Sequence, residues 1–160
     1  MTYLIGCLEA KHSNCWATDL SKTVKRPVYI NVLRVSKEYY VVVASLDYGD
    51  DKDFFDIRQA IVTVLPTHPL FITWQTLYND TQKRRYWIVL SVKDAGGPRG
   101  TIRPFIRANG EVKSYLQLRA DEDWETIKGI FKDKNEYEAA KHLMKINYET
   151  RNESIKKVAP

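Results

Sequence analysis

The sequence is poor in the residues that build covalent or metal-based structure. It contains two cysteines and three histidines among 160 residues. Two cysteines cannot form the set of disulfides on which small secreted domains depend. No stretch approaches the roughly 20 apolar residues of a membrane-spanning helix, and no basic segment followed by an apolar one marks a signal peptide. We therefore expect a cytoplasmic protein, with no membrane segment and with both thiols reduced.

Charge is also not in large excess. Lys and Arg total 25 against 20 Asp and Glu, a net charge of +5, which permits a polyanionic partner without requiring one. Aromatic residues are abundant, with ten Tyr, five Phe and four Trp, and this composition favours strands. The chain length suits one compact domain or two small fused halves.

The first part of the chain alternates apolar and polar residues in short runs, which predicts hairpins around one helix. The predicted elements are strands at Tyr3–Leu8, Val28–Val35 and Tyr39–Leu46, a helix at Lys52–Leu65, and strands at Leu70–Tyr78 and Arg84–Val92. A short helical turn or a polar loop is expected at Thr18–Ser21.

The second part follows a glycine-rich segment, Asp94–Gly100, which we interpret as a linker. Beyond it we predict strands at Thr101–Ala108 and Glu111–Arg119, a helix with a stripe of Trp124, Ile127 and Phe131, a helix at Glu136–Leu143, a strand at Met144–Thr150, and frayed last residues. A single long helix from Asn135 is the alternative. The fold class is therefore α+β, an antiparallel sheet with helices on one face, ferredoxin-like or ACT-like, in two halves (1–93 and 101–160).

Rare residue types cluster between Glu9 and Ser21. His12, Cys15 and Trp16 lie within five positions. Because Trp carries a large apolar area and one N–H donor, we expect these three residues to form a ligand-binding wall. Cys7, His12 and Cys15 offer three ligands of the kind that zinc accepts, but a structural zinc site needs four, so we expect neither a metal nor another cofactor.

The motif H-x-x-C-W, followed by a small residue, Thr18 and Leu20-Ser21 after an N-terminal strand, resembles the start of archaeal bacterio-opsin-activator-type helix-turn-helix transcription regulators. The N-terminal part of these regulators is sensor-like. The resemblance implies a non-enzymatic regulatory module that acts in transcription control through a small ligand or a protein partner. The sequence given ends at Pro160, where such a regulator would begin its DNA-reading helices.

Basic residues gather in three groups, the first two at the ends of predicted strands, and suggest a second function. They are Lys25, Arg26, Lys83, Arg84, Arg85, Arg99, Arg103 and Arg107. Such groups near aromatic residues suit phosphate contacts with base stacking, so a DNA- or RNA-binding protein is the alternative. A metal-dependent nuclease has the least support, because the acidic residues at 50–56 fall at a helix start, where capping explains them. We expect no catalytic residues and a protein partner or homodimer.

Overall fold

The computed structural model of the chain describes residues 3–11, 15–35, 38–93 and 116–158. Its strands are β1 (Tyr3–Lys11), β2 (Val28–Val35), β3 (Tyr39–Asp47), β4 (Phe71–Asp80), β5 (Arg85–Lys93), β6 (Leu116–Asp121), β7 (Trp124–Phe131) and β8 (Glu149–Val158). The α-helices among these residues are α1 (Trp16–Val24), α2 (Asp51–Val64) and α3 (Lys134–Asn147). A 3-10 turn, Leu65–Thr67, follows α2.

All eight strands form one antiparallel sheet in the order β4-β5-β3-β2-β6-β7-β1-β8. The predicted α+β class and the antiparallel sheet are therefore confirmed. Both predicted hairpins of the first part form, with β2 paired to β3 and β4 paired to β5. The first strand, however, pairs with β7 and β8, so the sheet joins strands from both predicted halves. The predicted linker lies outside the described residues.

One face of the sheet carries the core. Register places six buried apolar residues side by side across neighbouring strands, namely Leu8, Ile127, Leu118, Ile30, Ala44 and Ile88.

All three helices pack on this core face. Cys15, just before α1, contacts Glu125 of β7. Phe54 of α2 lies edge-on to Tyr86 of β5, and Tyr137 of α3 lies edge-on to Phe131 of β7. The expectation that the helices lie on one face holds for the described residues. None of these helices is long and apolar enough to cross a membrane.

Two aspartates define where helices begin. Asp50 accepts a hydrogen bond from the backbone N–H of Asp53 at 2.8 Å, and Asp133 does the same for Glu136 at 2.8 Å. Each side chain satisfies a donor that the first helical turn leaves unpaired. The predicted helix at Lys52–Leu65 is confirmed within one residue at each end, and its acidic start is a cap.

The helix predicted around Trp124, Ile127 and Phe131 is wrong, because these residues lie in strand β7. Burial alternates there, with Ile127 and Phe131 facing the helices and Trp124 facing away. A spacing of four residues fits the two-residue period of a strand as well as the helical period. The acidic run before Trp124 forms the tight turn between β6 and β7, with Glu122 at a φ of 54°.

The predicted strand at Met144–Thr150 is also wrong in its position. Helix α3 continues to Asn147, and β8 begins at Glu149 and reaches Val158. Residues 151–158, which were expected to fray, therefore belong to a strand that pairs with β1 along the edge of the sheet. The helix from about Asn135 resembles the longer alternative, but it ends before β8.

Candidate functional site

The face of the sheet that lies away from α1, α2 and α3, here called the opposite face, carries polar, basic and aromatic side chains. Register places one continuous row across it, made of Trp87, Ser45, Tyr29, Arg119, Thr126, Glu9 and Arg151. A second row, one pleat along the strands, contains Asn31, Gln117, Lys128 and Cys7. These residues share a face because side chains alternate along every strand.

A cleft of about 390 Å³ lies over the middle of this face. Two aromatic residues, Tyr29 and Trp87, line it together with Arg85, Arg119 and Lys128. The volume is at the lower end of the range for small-molecule sites. Neither a carboxylate nor a histidine is among the described lining residues, so the cleft combines rings, cations and hydrogen-bonding groups without an evident general base.

Arg85 is held in a fixed orientation beside the cleft. Its Nε donates to Asp47 Oδ1 at 2.7 Å, and its Nη2 donates to Asp47 Oδ2 at 3.1 Å. The guanidinium carbon lies 4.9 Å from the centroid of the Tyr29 ring and 5.9 Å from that of Trp87. The hydrogen bond to Asp47 raises the pKa of Arg85 above its ordinary value. A bidentate, ring-stacked guanidinium is a rigid plane, which Lys would not provide.

Arg119 and Lys128 differ from Arg85 in having no fixed partner. Both side chains are exposed, and within the described part of the chain neither makes an ion pair or a hydrogen bond. Their charge is therefore available to an anion that enters the cleft.

The hydroxyl of Ser45 lies in the floor of the cleft. Ser45 is 1% exposed, and its Oγ has no hydrogen-bond partner among the described residues. Leaving a buried hydroxyl unpaired costs about 1–3 kcal/mol. Ser45 belongs to the row of the opposite face and lines the cleft, but its Oγ is itself buried, so the hydroxyl is not exposed to a molecule bound there.

No family model matches this chain, and none of the curated proteins is similar to it.

A second arginine lies over a tryptophan elsewhere on the opposite face. Arg151 of β8 donates from Nε to Glu9 Oε2 at 2.6 Å, and its guanidinium carbon is 3.8 Å from the centroid of the Trp124 ring. Lys11 Nζ lies 5.9 Å from the same ring. This group again combines a carboxylate, an arginine and a tryptophan, as at Arg85. It lies outside the residues that line the cleft.

The predicted ligand residues lie on the other side of the sheet, as far as the structure describes them. Cys15 is buried, and its Sγ donates to Glu125 Oε2 at 3.6 Å. Trp16 begins α1 and packs half-buried against the core. His12 lies outside the described residues. Cys7 lines the cleft on the opposite face, so the sheet separates the two thiols. Within the described ranges no three potential metal-ligating side chains come together.

The structure brings two of the predicted basic residues, Arg26 and Arg84, together at the turn between β3 and α2. Arg26 pairs with Asp53 at 2.5 Å, and Arg84 donates to the Gly49 carbonyl oxygen. Lys25 ends α1 with a φ of 56°, and Lys83 lies exposed in the β4–β5 turn.

Of this predicted basic set, Arg85 alone lines the cleft as far as the structure describes it. Arg99, Arg103 and Arg107 lie outside the described residues.

Sequence reasoning missed Arg119, Lys128, Ser45, Tyr29 and Trp87 as site residues. The available signal was the strand period itself. In β2, β5 and β6 the residues between the buried apolar positions include Tyr29, Trp87 and Arg119, and reading these alternate positions together would have identified the opposite face.

Proposed function

We propose that this protein is a non-enzymatic binding module whose opposite-face cleft holds an anionic ligand that contains a planar ring. The observation that carries the proposal is the combination in one cleft of two aromatic rings and two cations, Arg119 and Lys128, that have no ion-pair partner among the described residues. The ring of the ligand stacks on Trp87 or Tyr29, and its anionic group pairs with Arg119 and Lys128.

A binding role fits this chemistry better than catalysis. A hydrolase needs a nucleophile with a base within hydrogen-bond reach. The described lining residues supply cations, amides and hydroxyls, which select and orient a ligand. We therefore propose no catalytic residue.

The proposal includes a regulatory role, in line with the resemblance to bacterio-opsin-activator-type regulators. Under it, ligand occupancy of the cleft is communicated to a protein partner or to a second copy of the chain. The ferredoxin-like or ACT-like relationship, the division into two fused halves and the cytoplasmic location stay predictions.

The test uses an anionic ring compound as a probe, 1-anilinonaphthalene-8-sulfonate, whose fluorescence rises in apolar surroundings. Titration of the folded protein should saturate with a single site. Arg119→Gln and Trp87→Leu should each weaken binding about tenfold, since a hydrogen bond to a charged group contributes about 1.5–3 kcal/mol and an aromatic contact about 0.5–1.5 kcal/mol beyond its buried area.

Lys52→Gln is the matched control, because it removes the same charge from an exposed position on α2, on the other side of the sheet. It should leave probe binding unchanged. Probe binding that is insensitive to both Arg119→Gln and Trp87→Leu would contradict the proposal.

A further inference from the structure

The binding features of the opposite face extend past the cleft. The first stacking site consists of Asp47, Arg85, Tyr29 and Trp87, and a second stacking site consists of Glu9, Arg151 and Trp124. In each, a carboxylate on a neighbouring strand fixes a guanidinium over a tryptophan ring. A ligand small enough for the cleft occupies only the first of these sites, which leaves the second without a role.

The two sites are separated by a distance that suits a chain-like ligand. Strand β7, which carries Trp124, is the fourth strand from β5, which carries Trp87, in the order β5-β3-β2-β6-β7. At about 4.8 Å per strand the separation is about 19 Å. A stacked strand of nucleic acid rises about 3.4 Å per nucleotide, so about six nucleotides cover this distance, and fewer do so if the strand is stretched.

Cations lie between and beside the two sites. Arg119 lies between Tyr29 and Thr126 in the row across the sheet, and Lys128 lies two residues beyond Thr126 along β7. Lys11 lies beside Trp124. Within the described residues none of the three forms an ion pair, while the carboxylates Asp47 and Glu9 are occupied by Arg85 and Arg151. Arg119 therefore lies between the two stacking sites, and Lys11 lies at the second. Lys128 lies on the side of the row away from Trp124, and the exposed carboxylate of Asp121 lies directly opposite Trp124.

We propose that the opposite face binds single-stranded nucleic acid across its strands, with one base stacked at each site and phosphates on Arg119, Lys128 and Lys11. This inference rests on the proposed function and names the class of its ligand. Guanidinium and aromatic planes stack on unpaired bases, which a duplex keeps inside its own stack. An acidic peptide would satisfy the cations but would leave both planes without a stacking partner.

The experiment measures fluorescence anisotropy of labelled oligouridylates and oligothymidylates of two, four, eight and twelve nucleotides, with competition by uridine 5′-monophosphate. Affinity should rise at least tenfold between two and eight nucleotides and then change little, because the second site is reached within that length. The RNA and DNA series identify which sugar the site accepts. A mononucleotide that binds as tightly as the eight-nucleotide strand, or a duplex of equal length that binds as tightly as the single strand, would overturn the inference.

Variants separate the two stacking sites from nonspecific charge. Trp124→Leu should weaken the eight-nucleotide complex by about tenfold, within the range for loss of one base stack, while Trp124→Tyr should retain most of the affinity. Arg119→Gln and Lys128→Gln should each reduce the slope of log affinity against log salt by about 0.7. Lys52→Gln should change neither quantity. The nucleic-acid inference would also be overturned if Trp124→Leu and Trp124→Tyr lost the same affinity. It would likewise be overturned if the salt slope were unchanged in the Arg119 and Lys128 variants.

Different results would contradict the proposed cleft function and the nucleic-acid inference. If the sulfonate probe depends on Arg119 and Trp87 but oligonucleotides bind no better than the mononucleotide, the cleft function stands and the nucleic-acid inference fails. If probe binding ignores both variants, the proposed function itself fails.

Discussion

Replacing Gly6 by alanine tests the packing of α3 on the sheet. Gly6 lies in β1 between Gly129 of β7 and Ile155 of β8. A Cβ atom added at Gly6 would clash with Cδ2 and Cε2 of the Tyr137 ring and would lie 3.1 Å from Cε2 of Phe131. Neither ring can move freely, because Tyr137 is 2% exposed and Phe131 is fully buried. The methyl group must therefore displace α3 from the sheet.

The expected cost follows from this geometry. Inserting a methyl group into a packed core costs about 1–3 kcal/mol, and we expect the upper end, about 3 kcal/mol, because both neighbours are rigid aromatic rings. Since about 1 kcal/mol lowers the Tm of a domain of this size by roughly 2–4 °C, Gly6→Ala should lose about 6–12 °C.

The assay is urea unfolding followed by circular dichroism, with Gly49→Ala as the matched control. A Cβ at Gly49 would lie 3.4 Å from Arg26 Nη2 and 3.6 Å from Asp53 Oδ2, which are ends of side chains at an exposed turn. The same chemical change should therefore cost little at Gly49.

A double-mutant cycle with Tyr137→Leu assigns the cost to the ring. The smaller side chain should relieve the clash, so that the double variant is at least about 1 kcal/mol more stable than additivity predicts. Equal urea midpoints for Gly6→Ala and the parent, or strict additivity in the cycle, would refute the inference that Tyr137 of α3 packs directly on Gly6.

Other predictions follow from single contacts. Burial raises the pKa of Tyr137 to about 12. The folded state therefore favours the neutral phenol more than the unfolded state does. This contribution to the free energy of unfolding is complete below about pH 10 and is lost as the pH rises toward 12. The loss is at most about 2.7 kcal/mol, and Tyr137→Phe should flatten the fall of the urea midpoint from pH 9 to 11.5; parallel profiles would contradict this. Asp50→Ala and Asp133→Ala should each lower the free energy of unfolding by about 1 kcal/mol through loss of a helix cap, and the matched Asp51→Ala, which lacks that cap bond, should not. Ser45→Ala should leave the ligand-free protein equally or more stable, because it removes an unsatisfied buried hydroxyl; a loss above about 1 kcal/mol would show that the hydroxyl has a partner.

Local patterns were sufficient for the elements whose partners are near in sequence. The β2–β3 hairpin could be predicted because both strands are rich in β-branched and aromatic residues and are separated by three residues. Helix α2 could be predicted from its apolar spacing and its aspartate cap.

Strand β8 could not be predicted, because its sequence, ETRNESIKKV, is polar and charged. It forms a strand through pairing with β1, and charged residues are the usual composition of an exposed sheet edge.

The candidate site shows the same limit. Arg85 was identified as a basic residue, but its partner Asp47 and the rings of Tyr29 and Trp87 come from different strands. Lys128 was hidden by the wrong helix prediction for β7, which would have placed it on a solvated helix surface. A site assembled from alternate residues of several strands is visible only once the register between those strands is known.

The position of β1 in the sheet also has a consequence for synthesis of the chain. Leu4 pairs with Phe131 and Lys11 pairs with Glu149, so β1 is synthesised long before the two strands that pair with it. At about 5–20 residues per second, the residues between Leu4 and Phe131 take roughly 6–25 s to be added. During that time the apolar side chains of β1 lack the two strands that flank them in the finished sheet. A nascent chain of this protein should therefore depend on chaperones more than one whose sheet grows hairpin by hairpin from the N-terminus.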